Sequence, residues 1–298
     1  METLYDRDLP THMPVNAQTT RRSVRIGIDT GGTFTDIVLV DGVTGEMAFT
    51  KVPSTPANPA LGLVRGVKAI LAEGVAESGK PASRLAGLAH GTTVATNALL
   101  QGEVKGLGLI VTEGFRHVLE IARQAVPDGY GNSYFWVKPD RLVPLSMVEE
   151  VRGRLDVHGN ELRPLDVADV KCAAWRLKKR GVRAVGVCLL HSYANHEHEL
   201  RVGEILAGEL PGVSVSLSSD VLPEYREYER SVTTLVDAFV KPFVTRYLAQ
   251  VKDELGDSFA NVPFLVMQSS GGVMSAEQVV DRPITTALSG PAAGALGS

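Results

Sequence analysis

One stretch of this chain has residue types and spacing suited to phosphate chemistry: Val24-Arg-Ile-Gly-Ile-Asp29-Thr-Gly31-Gly32-Thr33-Phe-Thr35-Asp36-Ile-Val-Leu-Val-Asp41. Apolar, β-branched residues run up to an aspartate. A Gly-Gly pair flanked by hydroxyls follows, and then a second apolar run, which reads as strand, tight turn and returning strand. Paired glycines let backbone N–H groups approach a phosphate closely, so Gly31 and Gly32, with the hydroxyls of Thr33 and Thr35, are candidate phosphate ligands. Asp29, at the strand end, could hold Mg²⁺ through a water, or only cap the turn. Asp36 could join that site or order the hairpin. No helix follows the glycines and no Gly-Lys-Ser/Thr appears, so the pattern is neither the dinucleotide-binding fingerprint nor the P-loop. An ordinary hairpin would also place Gly-Gly between strands, but the full Asp-Thr-Gly-Gly-Thr-Phe-Thr-Asp run favours phosphate binding.

A second group is Ala89-His90-Gly91-Thr92-Thr93-Val-Ala-Thr-Asn97. It reads as a strand end opening a helix, where free N–H groups and hydroxyls suit an anion or substrate. Gly91, Thr92 and Thr93 are substrate candidates there, and Asn97, one turn into the helix, could orient a neighbour. His90 could polarise a carbonyl or act as acid/base, or be a hydrogen-bonded structural residue. Gln268-Ser-Ser-Gly271-Gly272 ends another strand with a Ser-Ser-Gly-Gly turn. His191, His196 and His198 lack the i, i+4 pairing of a helical zinc site.

The elements that position these groups alternate. Strands are expected over 24–28, 37–40, 47–52, 85–89, 106–111, 184–189, 213–217 and 262–267. Helices are expected over 59–76 (Asn58 as N-cap, Pro59 at its first position), 93–101, 166–179 and 197–209. A long helical tract over 231–255 contains Pro242, which predicts a kink or two helices. Residues 1–22 have no period and read as a disordered leader. From 124 to 164, prolines and glycines crowd together with Tyr130, Tyr134, Phe135 and Trp136. This reads as a loop-rich insertion with a small strand pair near 148–155. Three strands followed by helix–strand–helix–strand predict an α/β, ribonuclease-H-like lobe with a mixed sheet.

The glycine turn resembles the first phosphate loop of the actin/Hsp70/sugar-kinase superfamily, and its Thr-Phe-Thr-Asp form resembles the hydantoinase A/5-oxoprolinase family, which includes acetone carboxylase subunits. Further segments match in order: 89–100, Val187–Asn195 with His191-Ser192-Tyr193, Leu217–Arg230, and Met267–Gly272 followed by Leu288-Ser289-Gly290-Pro291-Ala-Ala-Gly294. The resemblance covers about residues 24–298. It implies an actin-type lobe over 24–207 and the beginning of a second lobe, cut short, over 208–298, with Gln268–Gly272 facing the cleft between lobes, where Gln268 would be a substrate contact and Gly271 and Gly272 nucleotide contacts. Glu227, Glu229 and Arg230 read as a salt-bridged lobe junction. The family's second phosphate loop and adenosine segment would follow Ser298, so this chain alone is expected to be inactive, to bind ATP weakly at most and to expose an unsupported C-terminal third.

The implied activity is ATP- and Mg²⁺-dependent opening of a cyclic amide such as 5-oxoproline or hydantoin, with a hydantoinase B-like subunit or domain as partner and an oligomer when complete. The alternatives are a subunit of an acetone or ketone carboxylase, and a non-catalytic actin-like module.

A net charge of −4 with no basic block gives no reason to expect nucleic acid or anionic membrane as partner. No apolar run reaches membrane-spanning length, and charges interrupt any export signal after Arg21-Arg22, so cytoplasm is expected. Cys172 and Cys188 read as buried small hydrophobes.

Overall fold

The structure, a computed structural model, describes residues 23–55, 58–78, 84–101, 105–123 and 140–289. The expectations for the leader, for the aromatic cluster at 130–136 and for Gly290 onward lie outside the described residues. The elements in chain order are β1 (Ser23–Thr30), β2 (Phe34–Asp41), β3 (Met47–Pro53), α1 (Pro59–Ser78), β4 (Arg84–Thr92), α2 (Val94–Gln101), β5 (Leu107–Thr112) and α3 (Val118–Ile121). They continue with β6 (Val148–Val151), β7 (Arg154–Leu155), β8 (Glu161–Arg163), α4 (Val167–Lys179), β9 (Ala184–Cys188), α5 (Glu197–Glu209), β10 (Ser214–Leu217) and α6 (Ser218–Val221). The long α7 (Glu227–Leu255), β11 (Phe264–Met267), β12 (Val273–Ser275) and α8 (Ala276–Asp281) complete the set.

Two larger sheets form. The first runs β12-β11-β4-β1-β2-β3 and is mixed: β1 pairs antiparallel with β2, and parallel with β4. Alternation along β1 turns Val24, Ile26 and Ile28 inward while Arg25 and Asp29 face out. α1 closes on the inner face through Gly66. A Cβ there would run into the Ile37 side chain, so any larger residue obliges Ile37 to move. The second sheet, β10-β9-β5-β6, is parallel throughout. Its central strands, Leu107–Thr112 and Ala184–Cys188, are buried at every residue, as a parallel sheet covered on both faces requires.

Several expectations are corrected. The run at 106–111 does not complete the first sheet. As β5 it centres the second, and the place beside β4 is taken by β11, in parallel through Phe264↔Leu88 and Val266↔His90. Val266 is fully buried, so the segment 262–267 is anchored rather than unsupported. β10 joins β9 in parallel, and β11 joins β4 in parallel. The strand pair expected near 148–155 is divided: β6 lies on β5, while β7 pairs with β8. α7 is one helix of 29 residues through Pro242. It is held from both sides: Leu235 packs on Gly186 of β9, and Tyr247 reaches His90 of β4. Cys172 is exposed; Cys188 is buried.

Two buried charges brace the second sheet. Glu199, fully buried, accepts Leu189 N at 2.8 Å, Ser218 Oγ at 2.7 Å and Ser219 N at 2.8 Å, tying the end of β9 to α6. Arg230 is also fully buried. It makes no ion pair with Glu227 or Glu229; its Nη2 donates to Leu189 O and its guanidinium faces the Tyr193 ring, while Glu229 pairs with Arg123.

Candidate functional site

Because β1, β4 and β11 are parallel, their C-terminal ends share one edge of the first sheet. Open α/β sheets present ligand sites at such ends. Three of the sequence candidates lie there: the Gly31-Gly32 turn after β1, Thr92-Thr93 after β4, and Gln268–Gly272 after β11.

The glycine turn is held from below and left open above. Gly31 N donates to Phe34 O at 3.0 Å, Ser54 Oγ donates to Gly31 O at 2.8 Å, and Ser54 N donates to Thr33 O at 2.9 Å. A Cβ on Gly32 would meet nothing within 4 Å, so the turn offers its backbone to open space. Thr33 is exposed beside it. Thr35 is fully buried, with its hydroxyl 3.0 Å from Ser54 Oγ, so it supports the turn from beneath. Asp29 and Asp36 face each other across β1 and β2. Asp36 pairs with Lys51 at 2.9 Å, which is the hairpin-ordering alternative. Partial burial, and then the facing Asp36 carboxylate, push the Asp29 carboxyl above its usual range, although its side chain reaches solvent. Gly91 lies opposite Asp29 on β4, where a Cβ would come within 3.3 Å of Asp29 Oδ1.

The start of α2 is tied to the turn. Thr93 Oγ1 donates to Thr30 O at 3.1 Å, and Asn97 Nδ2 donates to Thr93 Oγ1 at 3.2 Å. Thr92 is buried and accepts Val94 N through its hydroxyl. Gln268 and Gly272 close the third turn through Gln268 N to Gly272 O at 2.8 Å, with Gly271 at φ +86°. Only glycine takes that angle freely.

His90 is brought to this edge but not into the open. It is fully buried, shares a 2.8 Å hydrogen bond with Tyr247 through Nε2, and stacks on Phe264. Its Nδ1 approaches the Ile28 carbonyl without meeting hydrogen-bond geometry. Burial lowers its pKa to about 4, so the ring stays neutral. The ring is thus enclosed by Tyr247 and Phe264 and does not open onto the cavity edge.

A cavity of about 380 Å³ opens beside the glycine turn, between α2, the Ser54-Thr55 link and Phe243 of α7. Gly31, Gly32, Thr93 and Asn97 line it. Ser54, Thr55, Gln101 and Phe243 were not singled out from the sequence. The Ser-Thr-Pro run directly after β3 was the available signal for the first two. A larger cavity of about 540 Å³ lies along the C-terminal half of α7, away from all three turns. Among the described residues no cluster of three or more His, Cys, Asp or Glu forms a metal cage, and no helix is long and apolar enough to cross a membrane. The Asp29 carboxylate beside the open glycine turn, with Asp36 facing it and paired to Lys51, would suit Mg²⁺ carried mainly by phosphates and water.

A family model described as the hydantoinase/oxoprolinase N-terminal region matches residues 25–210, and one described as hydantoinase/oxoprolinase matches 230–298. The chain is 33% identical over 275 residues to the caprolactamase alpha subunit of Pseudomonas jessenii, covering 91% of this chain and 39% of that protein. The structure titled ATP-dependent caprolactamase from Pseudomonas jessenii superposes with a TM-score of 0.75 at 33% identity, over 90% of this chain and 39% of the other. A nucleotide-free acetone carboxylase, from work on ATP-dependent acetone carboxylation, superposes with a TM-score of 0.80 at 28% identity, over 93% and 40%. This chain therefore spans about two fifths of the length of these relatives, and it shares their mixed-sheet, actin-type architecture.

Proposed function

Because the chain belongs to the hydantoinase/oxoprolinase family, we propose that it forms the phosphate-binding part of an ATP-dependent hydrolase that phosphorylates and opens a small cyclic amide. A lactam carbonyl resists water because amide resonance stabilises it. Transfer of the γ-phosphoryl group forms a bond from phosphorus to the lactam oxygen, breaks the bond to ADP and leaves a far better electrophile. Water then adds at that carbon, the ring C–N bond breaks with the amine taking up the proton, and a second water hydrolyses the resulting acyl phosphate to a carboxylate and inorganic phosphate. Phosphoryl transfer asks the protein for positioning and charge neutralisation more than for covalent help.

The residues present suit those tasks. The Gly31-Gly32 backbone and the Thr33 hydroxyl would receive phosphate oxygens, and Thr93 and Asn97 would hold the acceptor from the opposite wall. Asp29 would hold Mg²⁺ through water; when bound, the ion neutralises phosphate charge. His90, enclosed with Tyr247, ties β4 to the body of α7 rather than touching the reacting atoms. A partner subunit of the hydantoinase B type would carry the hydrolytic half, a reading supported by the naming of the caprolactamase relative as an alpha subunit.

The observation that carries the proposal is the open glycine turn on the wall of a small cavity at the shared end of three parallel strands. Substrate-dependent ADP release by the complete protein with its partner, across lactams, hydantoins and ketones, tests it. A carboxylase subunit is the second reading, favoured by the TM-score of 0.80 with acetone carboxylase. Release of ADP driven by ketone and bicarbonate, and by no amide, would select it.

A further inference from the structure

The second sheet has a switch point of its own. β5 leads to β6 on one side, and β9 leads to β10 on the other, so the chain leaves these two neighbouring strands in opposite directions. In an open parallel sheet, ligands bind in the crevice outside the carboxyl ends of such a pair. The turns that border it are 113–117 and 189–193, tied by Leu190 N donating to Thr112 Oγ1 at 2.9 Å. His191, on the second turn, has φ +61°, a left-handed conformation that residues with a side chain seldom take. The phosphate site makes no use of this His191-Ser192-Tyr193 run.

Charged groups gather at this crevice without partners among the described residues. Arg230 is fully buried; its Nη2 donates to Leu189 O, but Nε and Nη1 have no hydrogen bond. Glu199, which holds the other side of Leu189, spends its oxygens on Leu189 N, Ser218 and Ser219. A buried cation left unpaired is costly, so an anion beside it is favoured. The guanidinium carbon of Arg230 lies 5.6 Å from the centre of the Tyr193 ring, and the Tyr193 hydroxyl lies 3.3 Å from His191 Nδ1. Arg154, half-buried, rests on the Phe115 ring at 5.6 Å and makes no hydrogen bond or ion pair. Glu227, half-buried in the first turn of α7, lends its backbone oxygen to Cys188 Sγ, but its carboxylate has no partner. All these charges converge on His191: burial first, then Arg154 and Arg230, lower its pKa, while Glu227 and Asp156 oppose them. Asp156 is already engaged, accepting from His158 N, Asn160 N and Asn160 Nδ2.

We propose that this crevice binds a small amino acid as its zwitterion, with the carboxylate on Arg154, above the buried charge of Arg230, and the ammonium group on Glu227. An anion alone would be drawn to the arginines but repelled by Glu227. A cation alone would meet the reverse. A molecule carrying both charges completes both unpaired sets at once. The Tyr193 hydroxyl and the His191 ring form the wall between them, and the left-handed turn at His191 holds that wall in place. This site belongs to the second sheet and stands independently of the phosphoryl-transfer reading of the first.

Calorimetric titration of the complete protein, without nucleotide, tests this with four probes: L-alanine, β-alanine, propionate and ethylamine. At least one of the two amino acids should bind about tenfold or more tighter than propionate and ethylamine, which each carry one of the two charges. Arg154→Gln and Glu227→Gln should each weaken that binding about tenfold. Neither side chain has a hydrogen bond to lose, so both variants should keep the wild-type Tm; if Glu227→Gln fails to fold, Arg154→Gln decides. Gly32→Val, at the phosphate turn, should leave amino acid binding unchanged. Propionate or ethylamine binding as tightly as the amino acids would overturn the proposal. So would binding that survives Arg154→Gln, binding that is lost in Gly32→Val, or no binding of any probe by calorimetry and by equilibrium dialysis.

Discussion

His90 gives the chain a specific dependence on acid. Its ring is fully enclosed between Tyr247 and Phe264, and burial holds its pKa at about 4 against an ordinary value of 6.5. In the unfolded chain the imidazole takes a proton near pH 6.5; in the folded chain it stays neutral down to about pH 4. Between those values the unfolded chain binds more protons, so stability falls as pH falls. The contribution is fully present above pH 6.5 and lost by pH 4, and the difference in pKa corresponds to about 3 kcal/mol. Urea unfolding of the wild-type chain and of His90→Gln, from pH 7.5 to 4, measures it. Glutamine can keep a hydrogen bond to Tyr247 but does not titrate. The variant should be the less stable at pH 7.5, and the gap should close by about 3 kcal/mol at pH 4. Burial raises the carboxyls of Asp29 and Asp237, which act in the opposite direction, but both proteins carry them and the difference cancels. A gap constant to within ~0.5 kcal/mol across the range would refute the enclosed, neutral histidine.

Gly32→Val should lower nucleotide-dependent turnover of the complete protein on the order of 100-fold while leaving the Tm nearly unchanged, because the new side chain enters open space. Gly31→Val should also lower the Tm, since its Cβ would lie 3.1 Å from Phe34 O; wild-type turnover in Gly32→Val would rule out the turn as the phosphate site. Asp36→Asn removes the negative neighbour of Asp29, so the Asp29 titration followed by carboxyl NMR should move down; an unmoved titration would leave burial as the sole cause. Glu199→Ala strands three donors in the interior and should cost about 3–5 kcal/mol in urea unfolding, whereas a loss under ~1 kcal/mol would mean that water replaces the carboxylate.

The glycine turn and most elements were legible because their signals are local. Alternation marks β1 and β2, and Asp166 caps α4 by accepting from Ala168 N and Asp169 N. What was not legible depends on distant residues. Whether His90 is a catalyst or enclosed is decided by Tyr247, 157 residues away. Residues 107–112 and 264–267 are both short apolar strands, and nothing within either says which edge it joins; β5 went to the second sheet and β11 to β4. Pro242 obeys no local rule in α7 because packing on both sheets holds the helix together. Thr35 looked like a phosphate ligand, but the strand period turns it inward to Ser54.

The pairing of β11 with β4 sets an order of events in folding. β4 is complete at residue 92, but its neighbour arrives only at 264–267, after the whole second sheet and α7 have been made. Contacts this far apart in sequence close slowly, because the loop entropy must be met before the contact rewards it. During synthesis the open side of β4, with Leu88 and Ala89, waits unpaired while β1 to β3 and α1 can already assemble. Pulse-labelling hydrogen exchange should therefore find amides of β11 protected last. The nascent chain is most prone to association in that interval, through an edge that the finished molecule no longer exposes.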